Sequence, residues 1–352
     1  MSSDTAISAS TSWTFARIVS LAAILGALVL VVWLALAVHD VLLLAMLAVL
    51  FAVMVDGGVR ALCARIAMPR WSALLLLWLA LAAVVTGGSL LLAPQVVADM
   101  EAMGERIPEA LAQMDKAAES TYWGRRAVDE LSSLRESGAL QQTAQRFLGF
   151  FSSVLGVITS ILLVIVLGMF MAGEPRVYVN GGLRLLPPDW RPRANDVAEA
   201  AGRALRWWLL GRFASMAVVF VLTWIGLLLL GLPLAFLLAL IAALLSFVPT
   251  FGPLASAVPA ILVALSAGPE QALWVALLYL AIQLVESYGV TPFIQRRAVR
   301  LPPAVLLIFQ LVMGVLAGVL GVLLATPILV VLTVLAGMLY LKDTLGEAVD
   351  LP

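Results

Sequence analysis

Apolar residues in this chain come in long blocks set apart by short polar stretches. Such runs fall near residues 17 to 38, 41 to 55, 71 to 93, 150 to 172, 213 to 231 and 271 to 291. A bilayer's hydrocarbon core is about 30 Å thick and takes about 20 helical residues to cross, so these runs predict spanning helices. Two longer tracts, 233 to 268 and 302 to 337, are broken near the middle. The first breaks at Pro249, Gly252 and Pro253; the second at Gly314, Gly318 and Gly321, and then at Pro327. Proline removes a backbone donor and glycine loosens a helix, and the polar groups so freed must be met by protein or water. The pattern predicts an all-α, polytopic membrane protein with about six full spans plus two Pro/Gly-broken helical hairpins. The two tracts can be re-entrant hairpins entering from opposite sides, an inverted pair, or kinked helix pairs that cross fully.

Between residues 95 and 147 the pattern changes. Val96, Met100, Met103, Ile107, Leu111, Met114 and Ala118 recur at steps of three and four, the mark of one apolar helical stripe. Tyr122, Trp123 and Gly124 interrupt it before Val128, Leu131 and Leu134 resume. A second stripe, Val197, Ala201, Ala204 and Trp208, is flanked by Arg203, Arg206 and Arg212, and reads as a basic helix at the membrane interface.

Composition and charge sharpen this picture. Of 352 residues 63% are hydrophobic and 12% charged, against roughly half and a quarter in soluble domains. Positive residues in short loops stay on the cytoplasmic side. Arg60, Arg65 and Arg70, the seven arginines of 173 to 212, and Arg296, Arg297 and Arg300 therefore predict cytoplasmic segments, whereas 95 to 147 carries nine acids against six bases and should lie outside. The expected organisation is a disordered cytoplasmic tail (1–14), N-terminal transmembrane helices (15–93), an extracytoplasmic amphipathic helical insert (94–148) and a transmembrane helix (149–172). A cytoplasmic basic segment (173–212), a transport core (213–341) and a C-terminal tail (342–352) follow. The first block ends in Ala35-Leu36-Ala37, similar to a signal-peptide cleavage site, but its length favours an uncleaved first helix.

Candidate chemistry is sparse. Cys63 and His39 are the only residues of their kinds, so neither a disulfide nor a zinc cluster is expected. The chain has no phosphate-cradling Gly-rich loop and no nucleophile elbow. No catalytic residue, metal or cofactor is predicted, and a net charge of zero gives no reason to expect nucleic acid. Glu286 stands out because it lies in an apolar run, where a central charge costs roughly 2.5–3.5 kcal/mol unless it is protonated, paired or wet. Tyr279, Gln283 and Glu286 share a helical face at steps of four and three, a candidate polar track. The structural alternative pairs Glu286 with Arg296 or Arg297 near the cytoplasmic interface. Ser246, Thr250 and Gln310 could bond a polar solute at the hairpin tips or only bond neighbouring helices.

The run Ser246-Phe247-Val248-Pro249-Thr250-Phe251-Gly252-Pro253, followed by Val258-Pro259, resembles the "IPYIGP" signature of the autoinducer-2 exporter (AI-2E) family. Glu286-Ser287-Tyr288-Gly289-Val290-Thr291-Pro292 with Leu301-Pro302 is similar to the family's glutamate, proline and Leu-Pro string. Gly318, Gly321, Ala325 and Pro327 resemble its "G-x-x-G…A-x-P" ending. The sequence departs from that pattern at Arg212, where the family often has Gln, and at Phe251, where isoleucine is frequent. The resemblance implies an inner-membrane homo-oligomer, such as a pentamer, that carries a furanosyl signalling molecule or exchanges Na⁺ for H⁺. Arg212, Arg296 and Arg297 are then candidates for a cytoplasmic gate.

Three functions remain open at this point: export of a small polar metabolite or signal, Na⁺(Li⁺)/H⁺ antiport through Glu286, and a non-transport membrane scaffold. The expected partners are the lipid bilayer, a small polar solute or monovalent cation, and further copies of the chain.

Overall fold

The computed structural model describes residues 19, 20, 26, 38–119, 154–290 and 301–343, with backbone alone for 105–119, 154–160 and 290. Arg296 and Arg297, the first apolar block apart from residues 19, 20, 26 and 38, and the second half of the expected outer insert lie outside the described residues. Among those described, the regular structure is helical throughout, as the blocks of apolar sequence require. The chain divides into residues 1–46 and residues 47–352. In the first unit the described part is chiefly the start of a helix, where His39 Nε2 lies 3.2 Å from Asp40 Oδ1.

The helices are α1 (His39–Ile66), α2 (Arg70–Glu119), α3 (Val154–Gly173), α4 (Pro175–Arg184), α5 (Arg191–Leu229), α6 (Ala235–Leu245), α7 (Phe251–Leu265), α8 (Pro269–Leu284) and α9 (Pro303–Leu335). A π-helical segment, Val285–Val290, continues α8, and another, Ala336–Lys342, continues α9. Among the described residues five helices are long and apolar enough to cross a membrane, or six if α3 and α4, bent by 85° at Glu174, count as one span. Large apolar side chains face outward along them, among them Trp71, Leu90, Leu91 and Val315. Such continuous apolar surface suits lipid rather than water, and the chain is a multi-pass membrane protein.

Two expected boundaries are not breaks. The span expected to end at residue 93 runs on as one helix to Glu119, and Val96, Met100 and Met103 of its stripe pack on the core built by α5, α6, α7 and α8. The basic helix expected before residue 213 is continuous with the following span in α5, because Gly202 and Gly211 are tolerated in a helix that neighbouring helices support.

Both broken tracts fold back on themselves. In the first, α6 and α7 are joined by a tight turn, and a Cβ added at Gly252 would collide with the carbonyl oxygen of Leu245. In the second, helical geometry fails at Ala317 (φ −139°, ψ 17°) and Gly318 (φ 58°, ψ −143°). A Cβ at Gly321 would collide with the Met313 carbonyl oxygen, and one at Gly314 would stand 3.0 Å from Val322 Cγ2. Residues eight apart along a straight helix are separated by about 12 Å, so these approaches require a hairpin. At about 1.5 Å per residue, the 11 residues of α6 and the 15 of α7 are shorter than the hydrocarbon core.

The hairpins open toward opposite ends of the bundle. The first starts beside the end of α5 and returns to the start of α8, two ends tied together by Gln271 Nε2 donating to the Leu230 carbonyl. The second returns to the start of α5, where Arg193 Nη2 donates to the Met338 carbonyl at 2.9 Å and to Asp343 Oδ1 at 2.7 Å.

Candidate functional site

The turn between α6 and α7 is strained in a defined way. Thr250 has φ 71° and ψ −57°, and Phe251 N–H donates to the Pro249 carbonyl at 2.9 Å. That is a γ-turn of the rare left-handed kind, which a β-branched residue adopts only when its surroundings impose it. Proline in the first turn of α7, at Pro253, removes a donor that has no helical partner there. Gly252 allows the return helix to touch the carbonyl of Leu245.

Three other elements hold this tip. From α5, Arg212 Nε donates to the Phe247 carbonyl at 3.0 Å, and Trp208 places its ring edge against Phe247, centroids 5.6 Å apart. From the second hairpin, Gln310 Nε2 donates to the Pro249 carbonyl at 3.2 Å. From the π-helical segment after α8, Glu286 Oε1 accepts from Arg212 Nη1 at 3.2 Å and from Ser215 Oγ at 2.6 Å. Glu286 is 5% exposed and Gln310 is wholly buried. A π turn adds a residue to the helical repeat and re-aims the side chains that follow, a device frequent at functional sites.

The two charges sit at one level of the bundle. Arg212 is 17 residues before the end of α5, and Glu286 is 17 residues after the start of α8. At about 1.5 Å per residue both lie about 25 Å along the bundle from the ends that Gln271 and Leu230 join. The desolvation of each ion is offset by its partner and by the extra bonds to Phe247 and Ser215. Arg212 Nη2 and Gln310 Oε1 are buried beside the tip with no hydrogen-bond partner among the described residues.

The sequence-derived candidates are therefore divided. Glu286, Arg212, Gln310, Pro249, Thr250 and Gly252 meet at one place, with Pro253 following in α7. Ser246 is buried nearby but turns its hydroxyl back to the Ala243 carbonyl at 2.8 Å. Gln283 bonds Ser287 Oγ at 3.2 Å, and Tyr279 lies in the aliphatic core, its hydroxyl buried without a partner among the described residues. Glu286 and Tyr279 share the buried face of α8 and its extension, with Gln283 on its flank. Gly318, Gly321 and Pro327 shape the second hairpin. Among the described residues the basic partner of Glu286 is Arg212, 74 positions away; Arg296 and Arg297 lie outside them. Ser215 went unnoticed, although a serine one turn after an arginine inside an apolar run was a usable signal.

The AI-2E family transporter profile matches residues 18–340. The chain belongs to the AI-2E transporter family. The protein designated "Putative transport protein YueF" of Bacillus subtilis (strain 168) is 23% identical over 274 residues, 74% of each chain. YrrI of the same organism, with the same designation, is 32% identical over 155 residues, 43% of each chain. MT0215 of Mycobacterium tuberculosis (strain CDC 1551 / Oshkosh), designated likewise, is 36% identical over 138 residues, 38% of this chain and 37% of its own. Membership in this family makes the protein a membrane transporter.

Proposed function

We propose that this AI-2E transporter is a secondary or facilitated exporter of a small, hydroxyl-bearing polar solute of the autoinducer-2 kind. It works in the bacterial inner membrane, as a homo-oligomer with its N-terminus cytoplasmic. The two hairpins are re-entrant, entering from opposite faces of the bilayer, and their meeting point is the solute path. The observation that carries this reading is the buried Arg212–Glu286 pair clamped onto a strained hairpin tip.

The chemistry follows from the groups present. Phe247 and Pro249 offer carbonyl acceptors at the tip, and Arg212 Nη2 a donor and Gln310 Oε1 an acceptor that have no partner among the described residues. A solute hydroxyl can accept from Arg212 Nη2 and donate to Gln310 Oε1, competing with the contacts that hold the tip closed. Because both states keep Glu286 compensated by Arg212 or by the solute's donors, passage avoids leaving a bare carboxylate in low dielectric. The strain at Thr250 lowers the difference between closed and displaced tips.

Antiport is the second reading, favoured by the presence of a buried carboxylate in the core. It requires Na⁺ or Li⁺ to compete with the Arg212 guanidinium for Glu286, so ion binding must be coupled to opening of the pair. Reconstituted vesicles separate the readings. Solute export predicts efflux of a furanosyl or similar polyol tracer that Glu286→Gln slows at least about tenfold, the scale of one charge-assisted hydrogen bond, with no sodium-dependent proton flux. Proton flux that needs Na⁺ or Li⁺ and disappears in Glu286→Gln would establish antiport instead. Vesicles that move neither the tracer nor an ion would overturn both readings of the cargo.

A further inference from the structure

A second buried charge cluster lies away from the hairpin tip, and the transport path does not use it. Asp56 on α1 is 5% exposed. It accepts from Arg60 Nε at 2.7 Å and from Arg70 Nη2 at 2.6 Å, and Arg206 Nη2 stands 3.5 Å from its Oδ2. Arg70 Nη2 also donates to the Ala172 carbonyl at 2.9 Å, so the second half of α1, the end of α3, the start of α2 and the middle of α5 converge here. Three guanidinium groups on one carboxylate leave two positive charges without an acidic partner among the described residues. The nearby Arg203 is matched by its own Glu199, 3.8 Å away.

Structural pairing does not call for this surplus. One arginine neutralises Asp56, and each further cation brought out of water adds a desolvation cost. Arg206 is nevertheless built in: its stem crosses Gly57, where an added Cβ would stand 3.1 Å from Arg206 Cδ, and its Nε is buried without a partner among the described residues. The side chains of Arg70 and Arg60 are 40% and 61% exposed, so the cradle opens outward. Guanidinium forks match the oxygen spacing of phosphate and bind it as paired, charge-assisted bonds. On α2, the residues that follow Arg70 into the membrane include the exposed apolar side chains Trp71, Leu75 and Leu79.

We propose that Arg60, Arg70 and Arg206, gathered around Asp56, form a binding site for a phosphate group, supplied by an anionic phospholipid headgroup of the cytoplasmic leaflet. The acyl chains then lie along Trp71, Leu75 and Leu79, as α2 runs back into the bilayer. The lipid fastens the N-terminal helices to α5, the helix that also carries Arg212.

The test uses the full-length protein in detergent. Retention of phosphatidylglycerol and of phosphatidylcholine is measured by native mass spectrometry, and thermal stability is followed with each lipid and with inorganic phosphate. The wild-type protein should retain and be stabilised by phosphatidylglycerol in preference to phosphatidylcholine. Arg206→Gln should lower phosphatidylglycerol affinity about fivefold, the worth of one arginine beside an anionic lipid, while Arg184→Gln, on exposed α4, changes it less than twofold. Arg206→Lys, which keeps the charge but not the fork, should restore only part of the loss. Equal loss in Arg206→Gln and Arg184→Gln overturns the site, as does equal retention of the two lipids by the wild type. Stabilisation by phosphate matching that by phosphatidylglycerol overturns the lipid assignment and leaves a free-anion site. The wild-type comparison decides the matter even if Arg206→Gln does not fold.

Discussion

The amide of Gln310 donates to the carbonyl of Pro249 at 3.2 Å across 61 positions of sequence. Through this bond the first arm of one broken tract rests on the tip of the other. The tip carbonyl already accepts the γ-turn bond from Phe251, so Gln310 supports a strained turn from outside. Replacing Gln310 by leucine removes that support and also the unpartnered Oε1. The stability change should be about 1 kcal/mol, whereas flux through reconstituted vesicles should fall well beyond that scale. A flux unaltered in Gln310→Leu would take the second hairpin off the path.

Arg212 and Glu286 should behave as one unit. Removing a single partner of a buried pair costs about 3–5 kcal/mol, because the other charge is left uncompensated. Thermal unfolding of Arg212→Gln, Glu286→Gln and the double variant should therefore give a coupling energy of at least about 1 kcal/mol. Strict additivity would mean that the pair does not persist in the membrane.

Gly252 and Gly321 should tolerate no side chain. Each faces the carbonyl of its own hairpin's first arm, Leu245 and Met313, so alanine must push the arms apart and cost several kcal/mol, well above the usual ~1 kcal/mol of a point change. Gly87 and Gly88, in α2 with nothing within 4 Å of an added Cβ, are the controls. Alanine there should leave the melting temperature unchanged or raise it, by up to about 1 kcal/mol of helix propensity. Equal effects at all four positions in a fluorescence-detected melting assay would refute the close approach.

Tyr279 buries a hydroxyl in an aliphatic core with no partner among the described residues. Phenylalanine removes the cost of burying that unpaired group, about 1–3 kcal/mol, so Tyr279→Phe should melt no lower than the wild type. A large loss of flux with intact stability would show instead that the solute bonds this hydroxyl.

The sequence by itself determined the membrane class, because apolar runs of bilayer length have no other way to satisfy their backbone. It also located the two breaks at Pro249–Pro253 and Gly314–Gly321, since proline and glycine act on the chain locally. Glu286 was legible because a carboxylate inside an apolar run is costly wherever the fold puts it. Helix lengths were less legible: α2 and α5 cross from apolar to polar sequence without a break, as a helix needs no change of backbone to leave hydrocarbon. Only the tertiary structure decided that Glu286 meets Arg212 and Ser215, that Gln310 reaches Pro249, and that Arg206 joins Asp56. Pairings across 60 to 150 positions depend on how helices lie against one another, and no local pattern of residues carries that.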